Sequence, residues 1–146
     1  MAERDPLIGA RFSLDVQGVV SSFFASASGF SNSSEVITHQ AVDSAGKSVV
    51  QKIPGDLTWD DITLERGITD DMALWDWRQQ VVDGDVKGAR KDGSIVMYNQ
   101  SGEEVSRWNF HNGWPSAWTG PDVSAEDQSV AIESISIAHE GLVRAL

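Results

Sequence analysis

Cysteine is absent from the 146-residue sequence, so disulfides, thiolate metal sites and cysteine nucleophiles are all excluded. Long apolar runs are missing as well, and no segment approaches the roughly 20 residues a membrane-spanning helix needs. The first twenty residues carry acids and no apolar stretch of signal-peptide length, which predicts a soluble protein made in the cytoplasm. Positive charge is scarce. Eleven Lys and Arg stand against 22 Asp and Glu, a net charge of −11, and such a chain repels phosphate rather than gripping it, so no specific nucleic-acid recognition is expected. Three histidines, His39, His111 and His139, are spread along the sequence, with none at helix-face metal spacing from a partner. Neither a G-x-S-x-G elbow nor a glycine-rich phosphate loop occurs. No catalytic, cofactor-binding or metal-binding residue is expected. The pairs Asp60-Asp61 and Asp70-Asp71 read as strand-side and helix N-terminal carboxylates rather than as an acid–base or cation site.

What is present suits one domain over residues 1–146, long enough to bury a core without staples. The acids are concentrated: Gly55 to Asp85 holds nine, against Arg66 and Arg78. Such a cluster serves as a solvated face or as a surface repeatedly presented to something else. The most ordered stretch is Ile62 to Gly84. Ile62 and Leu64 alternate with polar neighbours as in a strand, Arg66-Gly67 breaks the run, and Thr69 with Asp70 and Asp71 reads as a helix start. Met72, Trp75 and Val82, with Leu74 and Val81 on the adjoining edge, form an apolar stripe of helical period, and Gly84 sits where a left-handed residue ends a helix. Gly67 is expected to need a positive φ to turn strand into helix.

One amphipathic helix needs a sheet to lie on. Residues 1–9 read as a loose arm. Ala10, Phe12, Leu14 and Val16 alternate with polar residues, Gln17-Gly18 turns, and Val19 to Phe30 returns as a hairpin strand. Its small residues Ser26, Ala27, Ser28 and Gly29 suit close approach of another backbone. Glu35 to His39 and Lys47 to Ile53 flank the turn Asp43-Ser44-Ala45-Gly46, giving a projecting hairpin over 33–55. Lys91-Asp92-Gly93 is a turn signal. Ser94 to Asn99 and Glu103 to Phe110 are strands about Gln100-Ser101-Gly102, and Trp108 and Phe110 share a face. His111 to Pro121 is too rich in Gly and Pro for regular structure and is expected as an aromatic loop. In the last strand, Gln128 to His139, Val130 and Ile132 are out of phase with Ile135 and Ile137, which predicts a bulge near Glu133-Ser134. The fold expected is mainly β, a sandwich or barrel of about seven or eight strands with one flanking helix.

Six tryptophans are present. Trp114 and Trp118 flank Pro115 and read either as anchors at a protein interface or as a platform for glycan.

The succession KIPGDLTWDDITLERGITDDMALWDWRQQVVDG, DGSIVMYNQSGEEVSRWNFHNGWPSAWTGP and VAIESISIAHEGLVR resembles the tail-tube protein family of contractile phages, and within it the inner-tube proteins of phage-tail-like extracellular contractile injection systems. It covers the chain from about Ala10 to Arg144. The most specific pieces are Ile62 to Thr69, Arg107 to Phe110 with Gly113 to Ser116, and Ala138 to Leu142. The resemblance implies six copies per ring, with rings stacked into a hollow tube inside a contractile sheath. Implied partners are the sheath, baseplate or spike and cap proteins, with effector protein or DNA as cargo. The particle would be assembled in a bacterial cytoplasm and released, or belong to a virion. A contractile phage tube conducting DNA and a glycan-binding module are the alternatives. A partly acidic lumen would let acidic cargo slide. Candidate subunit or ring contacts are Ser26, Ala27, Ser28, Gly29, Val36, Ile37, Val49, Val50, Arg66, Gly67, Trp114 and Trp118.

Overall fold

Alternation of Leu14 and Val16 with polar neighbours places both inside the first strand, β1 (Arg11–Val16). The computed structural model describes residues 11–17, 20–121 and 131–146; the expected arm at 1–9, the start of a strand at Ala10, the turn at Gly18 and the strand residues 128–130 lie outside them. Among the described residues there are ten strands and two helices. This exceeds the expected seven or eight strands and single helix, because the run from Val19 to Phe30 is split, Gly141–Arg144 forms a further strand and a short helix follows the first.

The chain divides into two compact units, residues 31–60 and the remainder. The larger holds β1, β2 (Val20–Phe24), β3 (Ser26–Ser28), β6 (Ile62–Gly67), α1 (Ala73–Val82), α2 (Val86–Ala89), β7 (Lys91–Tyr98), β8 (Glu104–Thr119), β9 (Ile132–Ala138) and β10 (Gly141–Arg144). The sheet order is β2-β1-β7-β8-β9-β6-β3, with β10 alongside β8. Two layers result. The first is β2, β1, β7, β10 and the first half of β8, and the second is β3, β6, β9 and the second half of β8. The chain passes between layers at Ala25 and along the bent β8, so the single strand expected from Val19 to Phe30 is two strands. The sheet ends at β2 and β3 and is sandwich-like rather than a closed barrel.

The core joins both layers: Leu14, Val16, Phe24, Ile62, Leu64, Ile95, Phe110, Ile135 and Ile137, covered by Leu74 and Trp77 of α1 and Ala89 of α2. Each large apolar side chain buried this way stabilises by about 1.5–3 kcal/mol. Trp77 Nε1 donates to the Ala89 carbonyl at 2.8 Å, tying α2 to α1. Gly84 closes α1 with φ +96°, as its position predicts.

Several local expectations are corrected. The stretch His111 to Pro121 is not a loop but the continuation of β8 as far as Thr119. Its glycine and proline are absorbed by packing: the Phe110 ring lies against both Gly93 and Gly113, where any Cβ would collide with it. Pro115 falls at a register shift, the position a sheet tolerates. Gly93 is therefore inside β7, not in a hairpin turn. Nor does β9 bulge at Glu133-Ser134, since the β6–β9 register runs unbroken from Ile62 opposite Ile137 to Gly67 opposite Ile132. Glu133, Ile135 and Ile137 all point inward, and Ile132 is the exposed one. Gly67 ends β6 within this ladder and is not one of the positive-φ glycines, which among the described residues are Gly29, Gly46, Gly84 and Gly102. The helix stripe is also re-phased. Leu74 and Trp77 are buried with Val81 packed against the core, while Met72, Trp75 and Val82 are exposed.

The smaller unit is an antiparallel ribbon of β4 (Asn32–Val42) and β5 (Ser48–Trp59). Both strands outrun their expected lengths, because Pro54 is accommodated at a register shift opposite Val36. The turn at Asp43 forms as its residues predict: its Oδ1 accepts from the Ala45 and Lys47 N–H groups at 2.9 and 2.8 Å, and Gly46 takes φ +79°.

Candidate assembly surfaces

Three features of this fold bear on what the protein does: an open sheet edge, a bare ribbon and a buried ion pair. The edge in question is β3, one of the two ends of the sheet. Ser26, Ala27 and Ser28 pair with Glu65, Leu64 and Thr63 on one side, and the sheet order ends there. Gly29, at φ +90°, brings its backbone against the Asp61 carbonyl, an approach no side chain permits. Unpaired backbone at such an edge invites a further strand. Beside it, Ala25, Ser26, Glu65, Arg66, Gly67 and Ile132 line a shallow cavity of about 220 Å³, which brings Ser26, Arg66 and Gly67 together.

The ribbon has no inside of its own. Directly paired residues share a face, so Val36, Val42, Val50 and Pro54 stand on one side. Ile37, Ala41, Val49 and Ile53 stand on the other. Val36 is 62% and Val50 58% exposed, with Ile37 and Ile53 at 47% and 44%. Val49 alone of the four candidates here is half-buried. A two-stranded ribbon with apolar residues on both faces is marginal in water unless something covers it.

Arg66, a candidate contact residue by sequence, is buried at 7% exposure opposite Glu133 at 5%. Its Nε donates to Glu133 Oε1 at 2.6 Å, and Trp118 Nε1 donates to Oε2 at 3.3 Å. The guanidinium also lies 5.4 Å from the Phe24 ring centroid and 3.6 Å from Asp71 Oδ2. Asp71, rather than Thr69, then serves the helix start: its Oδ1 accepts from the Ala73 N–H at 3.0 Å and its Oδ2 from the Ser22 hydroxyl at 3.1 Å. Thr69 instead accepts from the Asp71 N–H at 3.2 Å.

The Ala73 N–H, with the Ser22 hydroxyl and the Arg66 charge, holds the Asp71 carboxyl below the ordinary aspartate value. A depressed folded-state value means stability that is complete above the unfolded-state value and lost as pH falls through the folded one. Asp71→Asn should therefore flatten the stability–pH curve below about pH 4 and leave its slope near neutrality unchanged, as urea midpoints across the acid range would show.

The two tryptophans flanking Pro115 do not form one platform. Trp114 pairs with Ala138 on the outer side of the sheet, whereas the register shift turns Trp118 toward the core side opposite Ile135. Trp118 packs edge-on against Trp75, centroids 4.8 Å apart. A flat aromatic surface for sugar is thus not what these residues build, and the glycan reading fails on geometry. The sequence does carry a signal for the Arg66–Glu133 pair, a Glu at an apolar position of a strand, but by itself that signal is indistinguishable from a phase slip. No group of three metal-ligating side chains occurs among the described residues.

An open edge and a bare ribbon on a two-layered β fold define a class: a β-sandwich that leaves backbone and apolar surface for a further chain to cover. Residues 9–143 match the T4-like virus tail tube protein gp19 family, and the chain belongs to that family. It is a tail tube protein. Comparison with curated proteins finds no match. Among solved structures, the chain resembles one from the extended sheath–tube complex of the PVC extracellular contractile injection system at 27% identity and TM-score 0.77, over 95% of this chain and 90% of that one. A second likeness, at 25% identity and TM-score 0.76, is to the sheath/tube terminator of the same system, over 99% and 100%. Hcp1 from Flavobacterium johnsoniae shares the fold, at 15% identity and TM-score 0.55 over 92% and 94%.

Proposed function

We propose that the protein is the inner-tube subunit of a contractile phage-tail-like injection system: six copies form a ring, and rings stack into a hollow tube that is driven through a target envelope. The observation that carries this is the family match over nearly the whole chain, joined to a ribbon and an edge left uncovered in the single copy. Heterologous contacts between such surfaces close into rings and propagate by stacking. Residues 1–146 then act as one tube domain, with the 33–55 region of the ribbon reaching neighbours. A sheath, a baseplate or spike and a cap are its partners, in line with the sheath–tube and terminator assemblies named for its relatives. Effector protein or DNA occupies the lumen. The role is structural rather than enzymatic, with synthesis in the bacterial cytoplasm and release as part of a particle. The alternative reading is the tube of a contractile phage tail conducting DNA, which the viral name of the matched family supports.

Negative-stain images and sedimentation of the purified chain should show rings or rods. The double variant Ile37→Asp and Ile53→Asp, which places two charges on one ribbon face, should leave folded monomers. A wild-type chain that stays monomeric at all concentrations and is absent from filaments in its native particle would overturn the reading.

A further inference from the structure

The bend of β8 places an asparagine and a glycine in succession. Between Lys91 opposite Gly113 and Gly93 opposite Phe110, the single residue Asp92 faces two, His111 and Asn112, which is a β-bulge. Asn112 takes φ +48°, the one non-glycine residue in the left-handed region among the described residues, and asparagine is one of the few side chains that tolerate it. Gly113 has no room for a Cβ against the Phe110 ring. The corner therefore calls for Asn-Gly, and 112–113 is the sole Asn-Gly in the sequence. Glycine leaves its own main-chain nitrogen unscreened, so an asparagine before it has the least protected amide. In the fold the pair is pinned. Asn112 Nδ2 donates to Glu140 Oε2 at 2.6 Å, and the Asn112 N–H donates to Asp92 Oδ1 at 3.0 Å, where His111 Nδ1 also lies at 2.8 Å. The Glu140 N–H in turn donates to the His111 carbonyl at 2.9 Å. Asn112 is half-buried and Gly113 buried.

We infer that Asn112-Gly113 is a latent deamidation site, which Glu140 keeps closed in the folded chain and unfolding opens. In the reaction the Gly113 nitrogen bonds to Asn112 Cγ and gives up its proton, the side-chain nitrogen leaves as ammonia, and a cyclic succinimide results. Water then opens the ring at either carbonyl, leaving aspartate or isoaspartate at position 112. Ring closure needs the Asn112 side chain to swing off Glu140 and the Gly113 nitrogen to turn toward it. The bulge and its hydrogen bonds oppose both movements. The product does not fit the site that protected its precursor. A carboxylate at position 112 meets Glu140 Oε2 where an N–H had donated, with Asp92 as a second anion beside it. Isoaspartate also lengthens the main chain by one carbon within the β7–β8 ladder. Unfolding thus exposes the chain to a one-way change that weakens the corner on refolding. The hydrogen bonds belong to the single folded chain, so the inference stands whether or not the chain forms a tube.

The test incubates the full chain at mildly alkaline pH, native and in urea, and reads deamidation at each asparagine by peptide mass mapping. The unfolded chain should be modified at 112 ahead of its other asparagines, and the native chain more slowly by about tenfold or more, a factor set by how rarely the corner opens. Glu140→Ala should raise the native rate by about tenfold, as the loss of one charge-assisted hydrogen bond implies, whereas Glu140→Gln keeps an acceptor oxygen and should raise it less. Thermal melts establish that the variants fold, and sedimentation separates the result from changes in assembly. If Glu140→Ala does not fold, the comparison of native with unfolded wild type still decides. Asn112→Asp should lower the urea midpoint at neutral pH, by an amount that shrinks as acid neutralises the carboxylates. The inference is overturned if native and unfolded chains react equally, if another asparagine reacts first in urea, if Glu140→Ala leaves the native rate unchanged or slows it, or if Asn112→Asp is as stable as the wild type.

Discussion

Arg66→Ala should destabilise the fold by about 3–5 kcal/mol, because it leaves Glu133 charged and buried without its partner. The two side chains face each other directly across the β6–β9 ladder, at 2.6 Å, inside the sandwich. Removing the guanidinium also takes away its contacts to Asp71 and its place over the Phe24 ring. Replacing both members, Arg66→Met with Glu133→Leu, should restore most of the loss, since well-packed apolar residues often match a buried ion pair in stability. Urea unfolding of the wild type, both single variants and the double variant measures the coupling. Additive single losses, or a cost below about 1 kcal/mol for Arg66→Ala, would mean that the pair is not the strut it resembles.

The second large effect concerns the phase of α1. Trp77→Ala should cost about 3–5 kcal/mol, through the cavity it leaves and the buried Ala89 carbonyl it strips of a donor. Trp77→Phe keeps most of the buried surface and isolates the hydrogen bond, at about 1–3 kcal/mol. Trp75→Ala, two residues away on the exposed side, should cost less than about 1 kcal/mol. Equal losses at the two positions would place both tryptophans in the core and refute the orientation described.

Much of the architecture follows from local pattern. Alternation in Leu14 and Val16, the Asp43 and Asn99 turns, and Gly84 after the helix each depend on chemistry within a few residues. In the second turn Asn99 Oδ1 accepts from the Ser101 and Glu103 N–H groups at 3.0 and 2.9 Å, an arrangement set by Asn99 itself. The excess of acids, the lack of cysteine and the three motif clusters are enough to indicate a β-rich assembly protein of the tail-tube family.

Other decisions belong to tertiary structure. Residues 72–82 hold two apolar stripes, and sequence cannot say which one meets the sheet; the position of Ala89 and the strands beneath decides. Glu133 breaks an apolar alternation and so reads as a bulge, yet Arg66, far away in sequence, makes that position hold a carboxylate in a regular strand. Gly113 and Pro115 carry loop chemistry, but Phe110 covers the one and a register shift takes the other. Sequence thus determined which segments alternate, where the chain turns and what family it joins, because those depend on neighbours along the chain. Which faces turn inward was settled only by cross-strand partners dozens of residues apart, whose contacts outweigh local preference once the sheets have packed.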